Sequence, residues 1–296
     1  MKNIGFIGLG NMGFEMIKNL SKGNYSLLGY DINKNIYDNL RGSSIQTSQN
    51  IKNVFEKNDV IILMLPDGSI VKRVIDENLK YTKKNSIIVD CSTIDIETTK
   101  YFHKLAQSYD LQSLDAPVSG GVSGAKAASL TFMVGGNEKT YELISPIFDL
   151  MGNKSIFCGL EGSGQAVKIC NNLILGITMI GVGEGINLAR DLNLNLEKLY
   201  EVTSTSSASC WAINNYFPVT GIGPISPADN DYTGGFSTNL MKKDLSLAIN
   251  AIKGEKEKVM FGLKALEKYS EMIEKQMGSK DFSNVINHLW SFDNFD

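Results

Sequence analysis

A lysine and an asparagine stand four positions apart, as Lys168 and Asn172, in the stretch GSGQAVKICNN (162–172). Side chains with this spacing lie on one face of an α-helix. A lysine shielded from water has a lowered pKa, because burial disfavours the charged form, and can then transfer a proton near neutral pH. The asparagine amide offers a donor and an acceptor for a substrate hydroxyl. The pair predicts proton transfer at a hydroxyl group, although a solvated lysine at a polar helix start is the commoner explanation of such a pair.

A second segment, DAPVSGGVSGA (115–125), is rich in small residues and is interpreted as a loop. Its consecutive residues Ser119, Gly120 and Gly121 can form a concave nest of backbone N–H groups with a hydroxyl beside it. Such a nest suits a carboxylate, so the expected ligand here is an acid. A flexible turn of glycine and serine is the alternative, and composition alone does not decide between the two.

The elements that hold these residues begin with a glycine turn, GFIGLGNMG (5–13), between a predicted strand and a predicted helix. The three glycines of GxGxxG permit a tight turn, close approach to a pyrophosphate, and packing of helix on strand. The helix start offers free N–H groups to phosphates. The residues predicted to bind a dinucleotide here are Gly8, Gly10, Asn11, Met12 and Gly13.

Asp31 ends the next predicted strand, 26–30, about 20 residues beyond the glycine turn, where a carboxylate accepts from the adenosine ribose 2′-hydroxyl. The same carboxylate would repel a 2′-phosphate, and no arginine follows it in DINKN. We therefore predict NAD as the cofactor in preference to NADP. A surface aspartate that starts a turn is the alternative.

Strand and helix patterns then alternate, which indicates a doubly wound α/β sheet of Rossmann type. The predicted strands are 3–8, 26–30, 59–65, 86–90, 111–115, 130–136 and a short one near 155–158, and the predicted helices are 69–80, 95–108 and 137–150. Ligands of such sheets lie beyond the carboxyl ends of the strands. Leu65, Pro66 and Thr93 occupy such ends and are predicted cofactor contacts.

From about residue 164 to 192 the pattern becomes one long apolar helix, interpreted as a connector between domains. Gly176, Gly181, Gly183 and Gly185 lie inside it, and each costs roughly 1 kcal/mol relative to alanine, so close helix–helix approach is expected to compensate. Further helices are predicted at 195–206, 238–252, 256–276 and 281–290. The expected organisation is a Rossmann domain over 1–162 and an all-α domain over 163–296.

Composition narrows the class of protein further. The net charge of −3 and the pI near 5.6 favour no nucleic-acid partner. The four cysteines are scattered and the two histidines lack metal-ligand spacing, so reduced thiols and no metal are expected. The uninterrupted apolar run 173–183 is too short to cross a bilayer, so no membrane partner is expected. We expect a cytoplasmic protein, or a mitochondrial matrix protein if a presequence has been trimmed.

A series of motifs along the chain carries a family resemblance. In order they are GFIGLGNMG, LP (65–66), DCSTID (90–95), DAPVSGG, LTFMVGG (130–136), GSGQAVKICNN, CWAINNYFPVTG (210–221) and YTGGFSTNLMKKDLSLA (232–248). The chain resembles the β-hydroxyacid dehydrogenase family over nearly its whole length. One departure is Ala128, which stands where many members have glycine.

The resemblance implies that a 3-hydroxy acid is oxidised at its alcohol carbon, with a hydride passing to the nicotinamide. The pattern is most similar to members that convert 3-hydroxyisobutyrate to methylmalonate semialdehyde, as in valine breakdown. It implies that Lys168 is catalytic, that Asn172 positions the substrate, and that Ser119, Gly120 and Gly121 hold the carboxylate. It also implies that Lys243 contacts the cofactor and helps to close the site, and that the chain forms a homodimer or homotetramer.

The choice among substrates depends on Trp211 and the aromatic residues up to Gly221. These aromatic side chains could line a pocket for a small branched acid. Ordinary packing in the hydrophobic core explains their presence equally well. In the related 6-phosphogluconate dehydrogenases a histidine precedes the matching asparagine, whereas this chain has Asn171. Two alternatives stay open: a reductase of succinic, glyoxylic or tartronic semialdehyde, and an NAD-binding scaffold without turnover.

Overall fold

The computed structural model describes residues 1–290, and the chain divides into two compact units, Met1–Lys168 and Ile169–Asp296. The division falls inside one long helix, whereas the sequence places the domain boundary at 162/163, where that helix begins. The predicted domain bounds therefore stay a prediction.

The first unit alternates strands with helices. Its strands are β1 (Asn3–Ile7), β2 (Ser26–Tyr30), β3 (Gln46–Thr47), β4 (Val60–Leu63), β5 (Ile87–Asp90), β6 (Gln112–Asp115), β7 (Val118–Ser119), β8 (Leu130–Gly136) and β9 (Gly152–Gly159). Its helices are α1 (Asn11–Leu20), α2 (Ile51–Lys57), α3 (Gly68–Asn78), α4 (Ile96–Ser108), α5 (Gly121–Lys126) and α6 (Glu138–Phe148), with 3₁₀ helices at Lys34–Leu40 and Leu79–Tyr81.

These strands form one sheet in the order β3-β2-β1-β4-β5-β6-β8-β7, with β9 paired to β8. The first six strands of that order run parallel, and β8 runs antiparallel to β6 and β7. Strand order reverses at β1, which lies between β2 and β4, and this is the switch point where dinucleotides bind in Rossmann sheets. The predicted fold class is confirmed.

Local chemistry explains where the helices of this unit begin. The side chains of Asn50, Asp67, Asp95 and Asn137 each accept a hydrogen bond from a backbone N–H in the first turn of the helix that follows. Such caps satisfy donors that have no partner inside the helix. Both β4 and β5 are buried along their whole length, as parallel strands covered on both faces must be.

The sequence missed some short elements and drew others with different bounds. It indicated no element between Asp31 and the strand at 59–65, where β3 and α2 lie, because two or seven residues are too few for a clear period. The segment 115–125, interpreted as one loop, instead contains β7 and most of α5. The strand predicted near 155–158 is longer and spans β9. Ala128, just after α5, has φ +54°, a left-handed conformation that favours glycine.

The second unit is helical. Helix α7 (Ser163–Asp191) begins in the first unit and continues into the second, where it is followed by α8 (Leu196–Thr203), α9 (Trp211–Asn214), α10 (Thr238–Ala251), α11 (Met260–Glu274) and α12 (Val285–Trp290). Three 3₁₀ helices lie at Pro227–Asn230, Lys256–Val259 and Phe282–Asn284. Between residues 169 and 290 the only β-pairing is an isolated bridge of Ser237 with Asp281, in agreement with the all-α expectation.

The glycines inside α7 divide into two kinds. A Cβ at Gly176 would lie 3.0 Å from Leu245, and one at Gly183 would lie 3.3 Å from Leu289, so these two permit close helix packing within the unit. Added Cβ atoms at Gly181 and Gly185 would meet nothing within 4 Å. The expected compensation by close approach is therefore present in the described chain for the first pair only.

Helix α7 is long and apolar enough, judged by length and composition alone, to cross a membrane. The sequence expectation rested on the shorter run 173–183. The core helix of a soluble protein passes the same test, and 33% of the most apolar stretch of α7 is buried within the described chain. This observation is weak evidence for a membrane span.

Candidate active site

The glycine turn connects β1 to α1 at the switch point of the sheet. Gly8 has φ +95°, and a Cβ there would lie 2.2 Å from the carbonyl oxygen of Met64. A Cβ at Gly13 would lie 1.9 Å from the carbonyl oxygen of Gly8, so helix and turn pack closely. At Gly10 the space is open, because nothing lies within 4 Å of a Cβ. The turn therefore leaves its outer side clear beside the start of α1, as a bound pyrophosphate requires. Asn11 and Met12 form that helix start.

Asp31 follows β2 directly, and its carboxylate lies against the glycine turn. Oδ2 accepts a hydrogen bond from the backbone N–H of Leu9 at 2.6 Å, and Oδ1 accepts one from Asn33 at 2.7 Å. A carboxylate has about four acceptor positions, so this one retains capacity for a ribose hydroxyl. Lys34 lies beside it and donates to the backbone oxygen of Asp31 at 2.7 Å. The structure therefore places a carboxylate and a lysine at the same edge.

The strand-end residues Leu65, Pro66 and Thr93 follow β4 and β5. The backbone N–H of Leu65 donates to Ser92 Oγ at 2.9 Å, which ties the two loops together. Leu65 and Thr93 are half-buried and Pro66 is exposed. All three lie at the carboxyl edge of the sheet, where Gly8 also lies.

Ser119, Gly120 and Gly121 lie between β7 and α5. Gly120 has φ +131° and Gly121 has φ +63°, so the backbone turns sharply through both. A Cβ at Gly121 would meet nothing within 4 Å, and Ser119 is half-buried. The segment is thus a tight strand-to-helix turn with open space beside it. Whether it holds a carboxylate stays a prediction.

Lys168 and Asn172 lie on α7, four positions apart. Lys168 is 7% exposed and Asn172 is 1% exposed. The alternative of a solvated pair at a polar helix start therefore does not describe them. Both side chains lie in a buried stretch of one helix, which is compatible with proton transfer by the lysine and hydroxyl binding by the asparagine.

A residue that the sequence analysis did not single out fixes the amide of Asn172. In the second unit, Nδ2 of Asn172 donates to Oδ2 of Asp244 at 2.5 Å, and Oδ1 of Asn172 accepts from Asn171 at 2.9 Å. Asp244 lies on α10, is 2% exposed, and has its Oδ1 3.3 Å from Nζ of Lys243. Asp244 thus joins two predicted site residues, Asn172 and Lys243. The only sequence signal was its place in the KKD run.

Trp211 begins α9 and is 47% exposed, with its ring stacked on Tyr216 at 4.8 Å between centroids. Phe217 is buried in the core of the second unit, and the hydroxyl of Tyr216 donates to Asp281 at 2.8 Å. Core packing therefore accounts for Phe217 and largely for Tyr216. Of these three aromatic residues, Trp211 has the greatest exposure.

A buried polar network in the first unit was also missed. Asp115, fully buried at the end of β6, accepts from His103 Nε2 at 2.9 Å and from the backbone N–H groups of Gly162 and Gln165 at 2.8 and 2.9 Å. Asp90 lies beside it in register on β5. Burial and the nearby charge of Asp115 together raise the pKa of Asp90 to about 7, although the hydrogen bonds from Ser92 lower it. Near neutral pH, Asp90 therefore retains its proton more readily than an exposed aspartate does.

Other features of the first unit contain none of the predicted site residues. A cavity of about 830 Å³ is lined by Lys100, His103, Lys104 and Lys139 among others, and none of the residues predicted to bind cofactor lines it. Within residues 1–290, no group of three or more His, Cys, Asp or Glu side chains is placed to hold a metal ion. All four cysteines are free thiols.

Comparison with protein families gives two matches that together span the chain. A family model described as the NAD binding domain of 6-phosphogluconate dehydrogenase matches residues 3–159. One described as the NAD-binding domain of NADP-dependent 3-hydroxyisobutyrate dehydrogenase matches residues 162–289.

Individual relatives are similar over nearly the same length. The mitochondrial 3-hydroxyisobutyrate dehydrogenase of Drosophila melanogaster is 41% identical, covering 96% of this chain and 88% of its own. The mouse mitochondrial enzyme of the same name is 39% identical, covering 97% and 86%. Among solved structures, 3-hydroxyisobutyrate dehydrogenase of Mycobacterium tuberculosis with L-serine has a TM-score of 0.89 at 37% identity, covering 98% of this chain and 99% of that one.

Proposed function

The chain belongs to the β-hydroxyacid dehydrogenase family, and on that premise we propose that it oxidises 3-hydroxyisobutyrate to methylmalonate semialdehyde with NAD. The family resemblance predicted from the motifs is thereby confirmed. The observation that carries the proposal is the burial of Lys168 and Asn172 on one face of α7. The names of the similar enzymes support this substrate.

In the proposed reaction, the alcohol carbon loses a hydride, the hydroxyl oxygen loses a proton, and a carbonyl forms. When bound, NAD supplies the hydride acceptor. Lys168 Nζ takes the hydroxyl proton, and the amide of Asn172 holds the same hydroxyl in place. Asp244 holds that amide through the bond to Nδ2.

The acid group of the substrate is assigned to Ser119, Gly120 and Gly121. The turn between β7 and α5 is open beside Gly121, which leaves room for a ligand against backbone N–H groups. L-Serine, which accompanies the mycobacterial relative in its structure, also combines a carboxylate with a 3-hydroxyl. Trp211 is proposed to contact the substrate, because its ring is half-exposed while neighbouring aromatics are in the core.

The cofactor is proposed to lie along the carboxyl edge of β1, β2 and β4. Gly8, Gly10, Gly13 and the start of α1 would hold the pyrophosphate, and Asp31 would accept from the ribose 2′-hydroxyl. Leu65, Pro66, Thr93 and Lys243 are the further proposed contacts. The carboxylate of Asp31 supports NAD as the cofactor. Two observations point the other way: the description of the second family model mentions NADP, and the positively charged Lys34, which could attract a 2′-phosphate, lies beside Asp31. The preference for NAD is thus a proposal of its own.

A second copy of the chain is the proposed partner for the exposed face of α7. Ile174 and Leu188 are 64% and 59% exposed, and Gly181 and Gly185 lie on the same face with open space beside them. Apolar side chains around glycines permit close approach of another helix. We infer a homodimer or a homotetramer, located in the cytoplasm or, as for the insect and mouse relatives, in mitochondria.

The test is NADH formation by the purified protein across a panel of small 3-hydroxy acids, with NAD and NADP in parallel. We expect 3-hydroxyisobutyrate to have the highest kcat/KM. Lys168→Ala should lose at least about 100-fold in kcat, the usual contribution of a general base, while still binding NAD. Lys198→Ala, which changes an exposed lysine, is the matched control.

A best substrate among succinic, glyoxylic or tartronic semialdehydes, reduced with NADPH, would overturn this choice in favour of a reductase. Failure of every hydroxy acid to reduce bound NAD would favour a binding protein without turnover. Near-normal turnover by Lys168→Ala would remove the catalytic assignment.

A further inference from the structure

The first turn of α7 is held by a side chain from the sheet. Asp115 Oδ1 accepts from the N–H of Gly162, and Oδ2 accepts from the N–H of Gln165. Asp115 therefore acts as a cap that comes from β6. It lies at the positive end of the dipole of a helix of 29 residues, where an acidic side chain stabilises the helix start.

Gln165 makes the second connection. Its Nε2 donates to the backbone oxygen of Ser92 at 2.6 Å, and its Oε1 accepts from the backbone N–H of Ile94 at 3.2 Å. Both partners lie in the loop after β5, one on each side of Thr93. Gln165 is fully buried, so these bonds replace water on both ends of the amide.

Two glycines allow the helix start to lie this close to the sheet. A Cβ at Gly164 would be 2.2 Å from the carbonyl oxygen of Met133, and one at Gly135 would be 2.8 Å from the backbone nitrogen of Gly164. Close packing and four hydrogen bonds thus determine where the first turn lies relative to β6 and to the loop after β5. Lys168 follows Gln165 by three positions on the same rigid helix.

We propose that Gln165 is a positioning residue of the reaction: it joins the turn that precedes Lys168, which Asp115 caps, to the loop of Thr93. This inference rests on the roles proposed above for Lys168 and Thr93. The side chain of Gln165 does not need to touch the substrate. It acts by fixing the distance between the lysine and the loop assigned to the cofactor, and small errors in such a distance reduce the rate of reaction strongly.

The test compares the wild-type protein with Gln165→Met, which has similar size but neither donates nor accepts these bonds, and with Gln165→Glu, which keeps an acceptor for Ile94. Glu161→Gln, an exposed change just before the turn, is the matched control. The measurements are kcat, the KM for NAD and for 3-hydroxyisobutyrate, the pH profile of kcat/KM, and amide hydrogen exchange over 162–172 and at Ile94 in protein without cofactor.

We expect Gln165→Met to lose about 10- to 100-fold in kcat, with a KM for NAD within about twofold of the wild-type value. The pH profile should shift, because the position of the lysine changes. Exchange should accelerate over 162–172 and also at Ile94, whose backbone N–H loses its acceptor. The kcat of Gln165→Glu should lie between those of the wild-type protein and Gln165→Met. This variant also provides the comparison if Gln165→Met does not fold. Glu161→Gln should match the wild-type protein in every measurement.

A Gln165 variant that keeps the wild-type kcat, pH profile and exchange pattern would overturn the proposal. Failure of the proposed function is a different result: the wild-type protein itself would then reduce no NAD with any hydroxy acid. In that case the hydrogen exchange still decides whether Gln165 holds the turn.

Discussion

Asp244 accepts a hydrogen bond from the side-chain amide of Asn172, with 2.5 Å between Oδ2 and Nδ2, and both groups are buried. The bond determines which end of the amide faces Asp244 and which end faces Asn171. It also connects Asn172 to Lys243, whose Nζ lies 3.3 Å from the other carboxylate oxygen. An acidic residue that the motifs did not single out therefore orients the residue proposed to hold the substrate hydroxyl.

We predict that Asp244→Ala lowers kcat/KM for the hydroxy acid by about 10- to 100-fold, the range that corresponds to losing a hydrogen bond to a charged group. Asp244→Asn keeps an acceptor oxygen for Asn172 and should recover part of the loss. Steady-state kinetics with both variants test this. Lys243→Met is the comparison, since its defect should appear in the KM for NAD. Equal kinetics for the alanine and asparagine variants would show that the acceptor is irrelevant.

Asp31→Ala should reduce the proposed preference for NAD over NADP. The carboxylate would no longer accept from the ribose hydroxyl or repel a 2′-phosphate, and roughly 10- to 100-fold of the kcat/KM ratio should disappear. The ratio is measured with both cofactors at saturating substrate. Lys34→Ala is the opposing control: if the wild-type protein prefers NADP and this variant loses that preference, Lys34 and not Asp31 sets the selectivity.

Asp90 predicts a pH dependence of stability. Its pKa in the folded protein, about 7, lies above the ordinary value of 3.8, so between these values the folded state holds a proton that the unfolded chain releases. This contribution is present at low pH and is lost as the pH rises through 7, by about 1.4 kcal/mol for each unit of pKa difference. The buried groups that face Asp90 are Asp115, His103 and Cys91.

Replacing the aspartate should remove most of this dependence. We expect Asp90→Asn to gain stability relative to the wild-type protein as the pH is raised from 5 to 8, as measured by urea unfolding at each pH. Asp149→Asn, at an exposed site, should show no such trend. Parallel curves for the wild-type protein and Asp90→Asn would contradict the raised pKa.

Ala128→Gly should stabilise the protein. The left-handed φ of +54° costs an alanine about 1–2 kcal/mol, which glycine relieves. The greater entropy of the unfolded chain with glycine offsets about 0.4–1 kcal/mol of this, so a net gain of up to about 1.6 kcal/mol is expected. Ala127→Gly, at a neighbouring position in right-handed conformation, should destabilise instead. Thermal unfolding distinguishes them, and the same sign for both would refute the strain at Ala128.

Gly181→Leu should lower the mass of the proposed homodimer or homotetramer, because the added side chain would fill the open face of α7 where a second copy is proposed. Light scattering coupled to gel filtration gives the mass directly. Gly181→Ala adds only a methyl group and should retain the assembly. If the leucine variant keeps the wild-type mass, the interface lies elsewhere.

The features that could be predicted from the sequence are those with short-range patterns. The glycine turn, Asp31 and the strands that end before Leu65 and Thr93 all depend on neighbours within a few residues. The burial of Lys168 and Asn172 could not be read from their spacing, which describes a solvated pair as well as a buried one. The buried, catalytic interpretation of this pair was favoured only by the family resemblance that the series of motifs carries.

The residues that were missed act over long sequence separations. Asp115 was visible as the first residue of DAPVSGG, but its bonds reach 47 and 50 positions along the chain, to Gly162 and Gln165. Asp244 reaches 72 positions back to Asn172. The pairing of Asp90 with Asp115 follows from the register of β5 and β6. No local sequence pattern predicts these long-range contacts, because they form only when the chain has folded.

The continuity of α7 from Lys168 to Asn172 limits how this segment can change during evolution. One inserted or deleted residue between them would rotate everything beyond it by about 100° about the helix axis, and Asn172 would leave the face of Lys168. Substitutions at intervening positions keep the phase. A change of length between the two residues would therefore separate them, whereas a change of length in the irregular stretch 215–226 after α9 would leave that phase unaltered.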